Sequence, residues 1–152
     1  MHSRNFLTLD ILSGTIYVDN SKETQVAAQS FLCQLIFPYI DTYIMTLAYF
    51  AIPAHRTIPH EEEMAYQKIQ WLIETFLNSK LKYHESCTLE SIRNAVKRFT
   101  QMGVITMERV QLKRTLFQTN FKLSPKYQSD EILQKLYQQI ARFSISDTKE
   151  FE

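Results

Sequence analysis

The stretch FLCQLIFPYIDTYIMTLAYFAI, residues 31 to 52, limits the possible folds more than any other. Its length is near the roughly 20 apolar residues that a membrane-spanning helix needs. Gln34, Pro38 and Asp41 interrupt it. Proline removes a backbone donor and predicts a kink, and a carboxylate in mid-span is costly. The sequence therefore reads as a long buried helix, or a kinked pair, ahead of a simple span. Partial immersion at a membrane surface lies between the two. A helix that is apolar almost all round must bury every side, so a chain of 152 residues is expected to leave some of it for a neighbour to cover.

Hydrophobic residues at 45% and charged residues at 22% fit a globular chain, not a disordered one. A net charge of +1 gives no whole-chain attraction to a polyanion. Only two glycines and four prolines favour helices, because these residues punctuate turns. Cys33 and Cys87 lie far apart with no CxxC pattern. They read as small buried hydrophobes in a reducing, intracellular setting. The start, MHSRNFLTLD, is polar and mixed, with no signal peptide visible. It opens directly on domain-like sequence, as a chain cut from something longer would.

Fold class follows from the periodicities: mainly α with small β-hairpins (α+β), the C-terminal half winged-helix-like. Leu7, Leu9 and Ile11 alternate before Ser13-Gly14, and Thr15 to Asp19 is β-branched and aromatic, which predicts a hairpin. A helix is expected from near Lys22. Glu61, Glu62 and Glu63 suit the first turn of another helix, running to about Ser79. Thr88 is placed to cap a third, whose Leu89, Ile92, Val96 and Phe99 recur on one face before Gly103 ends it. Residues 104–125 read as two strands. Ser129 then caps a last helix with Ile132, Leu133, Leu136 and Ile140 on one face. The expected division is 1–60 as hairpin plus apolar packing segment, 61–146 as a winged-helix-like unit in the same compact domain, and 147–152 as a polar tail.

Few residues point to chemistry. Arg93, Lys97 and Arg98 fall on the outward face of the third helix, and Arg109, Lys113 and Arg114 on the strand ribbon. Such an array suits phosphate contacts, and a winged helix could dock in a major groove, where Asn94 would reach an adenine edge. A solvated helix face accounts for the same charges, and winged helices also bind proteins. His55 and His60 are spaced for ligands but have no completing Cys or carboxylate, so no metal or cofactor is expected. His84 and Cys87 would make a hydrolase only if they converged in space, and capping explains that segment more simply.

Three ordered stretches resemble the C-terminal region of the glycerol-3-phosphate and dihydroxyacetone-phosphate acyltransferases. The first carries Phe37, Pro38, Asp41 and Tyr43. The second, YHESCTLESIRNAVKRFTQMGVI, carries Glu85, Ser86, Asn94, Ala95, Lys97, Phe99, Gly103 and Val104. The third is FKLSPKYQSDEILQKLYQQI. The resemblance implies an upstream acyltransferase domain with a His followed five positions later by Asp, the His being general base for the attacking hydroxyl. Here the residues five after His2, His55, His60 and His84 are Leu7, His60, Ala65 and Leu89. By that motif the chain carries no catalysis of its own. It would support the acyl-CoA-dependent first acylation of glycerolipid and phospholipid synthesis, meeting acyl-CoA and glycerol phosphate only through the parent enzyme. Leu35, Phe37, Tyr39 and Tyr43 are the expected contacts to the catalytic domain or membrane, and Arg93, Lys97 and Arg98 the expected anion-facing set. The parent would be intracellular and membrane-associated; nucleic acid is the less favoured partner.

Overall fold

A computed structural model describes residues 7–10, 15–18, 23–77, 81 and 84–143. They fall into two compact units, residues 1–36 and 37–152. In the first, strand β1 (Leu7–Asp10) pairs antiparallel with β2 (Thr15–Val18), Leu7 opposite Val18 and Asp10 opposite Thr15. The alternation that predicted this hairpin is local, and so is its register. Helix α1 (Glu23–Ala51) begins in this unit and continues into the second.

Of the two readings of the apolar stretch, one long helix or a pair kinked at Pro38, α1 is the first in that it runs through Pro38 as one continuous helix. The missing donor falls opposite the carbonyl of Gln34, an exposed residue, so water can serve that group. Among the described residues no helix is long and apolar enough to cross a membrane. Burial along α1 is uneven. Thr42, Met45, Thr46, Leu47, Tyr49 and Phe50 are buried, whereas Phe31, Leu35 and Ile36 stand in the open.

The second unit has the helix–strand–helix–helix–ribbon order of a winged helix. After α1 come β3 (His60–Glu61), α2 (Glu62–Leu77), a 3-10 turn at His84–Cys87, α3 (Leu89–Gln101), the ribbon β4 (Ile105–Lys113) and β5 (Leu116–Leu123), and α4 (Asp130–Ala141). The sheet is antiparallel in the order β3-β5-β4. Its core joins Phe50 of α1, Ile69 and Ile73 of α2, Ile92 and Phe99 of α3, and Leu123 of β5. Each such side chain contributes about 1.5–3 kcal/mol by leaving water.

Local chemistry fixes α3 at both ends. Thr88 Oγ1 accepts from the Ser91 amide at 3.2 Å, closing the N-terminus. At the other end Val104 N donates to Phe99 O at 2.9 Å and Gly103 N to Thr100 O at 3.0 Å. Gly103 adopts φ 71°, the left-handed conformation this cap requires. Leu89, expected on the buried face, is partly exposed; Ser91 and Ala95 complete that face instead. Ser129 occupies the N-cap position of α4, but its side chain makes no capping bond.

Candidate functional site

The C-terminal half of α1 lies beside α3, and side chains from both fix the approach. Thr42 sits inside α1 with its hydroxyl 2.8 Å from the Ser86 carbonyl oxygen and 2.9 Å from that of Pro38. One hydroxyl proton serves both acceptors, so the turn before α3 is tied to α1 across 44 residues. The next residue, Tyr43, meets Phe99 edge to face, ring centroids 5.5 Å apart.

Above that contact is an open groove of about 450 Å³, lined by Tyr39, Tyr43, Asn94, Lys97, Arg98 and Gln101. Tyr39 and Tyr43 are one helical turn apart on α1, which puts both rings on the same wall. On α3, Asn94, Lys97, Arg98 and Gln101 recur at the three- and four-residue spacing of one face. Arg98 Nη1 donates to Gln101 Oε1 at 3.2 Å, which holds the guanidinium along the wall. The lining contains two cations and no carboxylate. It can therefore receive an anionic or hydrogen-bonding group between the aromatic wall of α1 and the basic wall of α3.

The structure brings together four of the residues expected to be functional and separates three. Tyr39, Tyr43, Lys97 and Arg98 share the groove. Tyr39 is 50% exposed, while Tyr43 is partly consumed by Phe99. Leu35 is 53% exposed on α1 but does not line the groove, and Phe37 is half-buried. Arg93 lies over the Tyr66 ring at 5.5 Å, toward α2. Asn94, which the sequence offered only as a reader of an adenine edge, lines the groove beside Lys97 and Arg98, and Gln101 is the member that sequence reasoning missed; its three-residue spacing from Arg98 is the signal that would have found it.

The remaining candidates have structural duties. Tyr49 Oη and His60 Nδ1 are 3.1 Å apart, His60 Nε2 is 3.1 Å from the His55 carbonyl, and His55 Nδ1 is 3.0 Å from the Tyr49 carbonyl. The Nε2 proton of His60 must go to the carbonyl, so its Nδ1 accepts from Tyr49. Among the described residues no cluster of three or more His, Cys, Asp or Glu is placed to hold a metal ion. Cys87 Sγ lies 3.8 Å from Glu74 Oε1. Burial first, and then that carboxylate, push the thiol pKa up, which disfavours the nucleophilic thiolate. His84 is exposed.

Residues 8–108 match the family described as the glycerol-3-phosphate acyltransferase C-terminal region, and the chain belongs to that family. The first two of the three resembling stretches lie within the matched residues; the third, residues 121–140, lies beyond them. No curated protein matches the chain.

Proposed function

From that membership we propose that the chain is a non-catalytic module of an acyltransferase acting on glycerol 3-phosphate or dihydroxyacetone phosphate. It supports an upstream catalytic domain during the acyl-CoA-dependent first acylation of glycerolipid synthesis and orients that domain at an intracellular membrane surface. The observation that carries this reading is the convergence of two family stretches on one groove. Tyr43 of the first stretch and Asn94 and Lys97 of the second, far apart in sequence, line it together. Their pattern makes a recognition surface, not a reaction centre: two aromatic rings, two cations and two amides, with no base poised beside a nucleophile.

The groove suits a protruding acidic or carbonyl-rich segment of the catalytic domain better than a DNA duplex. A recognition helix must project freely into a major groove. Here the α1 tyrosines stand directly beside the cations of α3. The test is the parent enzyme carrying Lys97→Glu/Arg98→Glu or Tyr39→Ala. Either change is expected to lower acyl transfer roughly tenfold, the effect of losing one strong interface contact, with the unfolding midpoint unchanged. Wild-type rates in both variants would remove the groove from the account. Retardation of duplex DNA by the wild-type chain, lost in the double variant, would transfer the groove to nucleic acid.

A further inference from the structure

The ribbon β4–β5 ends in a tip that the core does not use. Val110, Leu112, Leu116 and Phe117 are all exposed there, Phe117 by 57% and Leu112 by 54%. The strand register sets which way they face. Gln111 lies opposite Phe117, in the same parity as Met107 opposite Phe121, so Phe117 belongs to the core side of the ribbon. Val110 lies opposite Gln118, and Leu116, two residues from Gln118, shares that other side. Leu112 sits at the irregularity between Gln111 and Lys113. Large apolar groups thus project from both faces of the same hairpin end.

Between Arg109 and Phe117 the tip carries three cations, Arg109, Lys113 and Arg114, and no acid. A folded protein partner normally covers one face of a ribbon. A bilayer interface surrounds an inserted tip on all sides, accepts apolar groups at acyl-chain depth, and lets Lys and Arg reach headgroup phosphates. The opposing charges stand nearby: Glu61, Glu62 and Glu63 border a depression that also touches Leu112, Leu116 and Phe117. Their repulsion from an anionic surface offsets the tip cations. Insertion must then be driven by the apolar side chains, with charge only a small contribution.

We propose that the β4–β5 tip inserts into the phospholipid headgroup region and is the membrane-contacting element of this module. The inference rests on the membrane orientation proposed above and assigns it to the ribbon instead of the basic face of α3. The test is sedimentation of the full chain with phosphatidylcholine vesicles, with and without phosphatidylserine. Wild type is expected to bind both, with only a modest gain from the anionic lipid. Leu116→Ser/Phe117→Ser is expected to weaken partition by roughly tenfold or more, with an unchanged urea midpoint because both side chains are exposed. Leu112→Ser provides an independent, milder loss should the double variant fold poorly. Lys97→Glu/Arg98→Glu is expected to bind vesicles like wild type.

Three results would overturn the inference: wild type remaining in the supernatant, tip variants binding as wild type does, or binding that requires anionic lipid and vanishes in high salt. Tip variants that lose association with the catalytic domain but keep vesicle binding would make the tip a protein contact and also overturn it. The groove variants in the parent enzyme decide the supporting role separately, so failure of one does not imply failure of the other.

Discussion

His60 is buried, and both of its ring nitrogens are engaged while it is neutral. Burial is the largest influence and lowers its pKa below 6.5; the bond to the His55 carbonyl opposes this, and the positive charges of His55 and Lys68 lower it further. The unfolded ring returns to its ordinary value, so the unfolded chain binds more protons below it. The stability is therefore complete above about pH 6.5 and is lost as pH falls through the folded value. Urea midpoints are expected to drop as pH falls below about 6.5, and His60→Gln to flatten that slope; an equally steep slope in the variant would exclude His60 as its source. Tyr49→Phe strands the Nδ1 acceptor and is expected to cost about 1–3 kcal/mol in chemical denaturation. Thr46 gives the opposite case, since its buried hydroxyl has no hydrogen-bond partner among the described residues. Thr46→Val is expected to be neutral or to stabilise by about 1 kcal/mol.

At the scale of elements, α3 governs the groove because it carries the basic wall and supplies Phe99, on which Tyr43 of α1 packs. Phe99→Ala is expected to cost about 3–5 kcal/mol and to loosen Tyr43 at the same time. Gly103→Ala isolates backbone conformation from packing, because an added Cβ meets nothing within 4 Å. Its cost is expected to be about 1–2 kcal/mol, the price of a left-handed L-residue, with Gly103→Asn milder. These ends of α3 were legible because capping is written in adjacent residues. The groove was legible only as separate pieces: Tyr39 and Tyr43 on one helix, Lys97 and Arg98 on another. What joins them is the Thr42–Ser86 bond and the Tyr43–Phe99 contact, both non-local and invisible to periodicity. Arg93 illustrates the limit. Helical spacing put it with Lys97, but its guanidinium turns to the Tyr66 ring. Leu116 and Phe117 illustrate another, since strand periodicity alone does not separate them from the buried Phe121 and Leu123 of the same strand.

For the whole molecule, Tyr39 in the groove, Leu35 on the exposed apolar part of α1 and Phe117 at the ribbon tip are large side chains that the core leaves exposed. Leu35 and Tyr39 could be made polar at little cost to folding, as surface changes usually stay within about 0.5 kcal/mol. Such neutrality combined with lost enzyme function is the signature expected of a module built to contact something else. The most direct measurement is acyl transfer from acyl-CoA to glycerol 3-phosphate by the separately produced catalytic domain, with and without this chain added. The account predicts that the catalytic domain alone is weakly active, that the added chain restores transfer in a saturable way, and that the Lys97→Glu/Arg98→Glu chain does not. A catalytic domain that is fully active alone and indifferent to the added chain would contradict it.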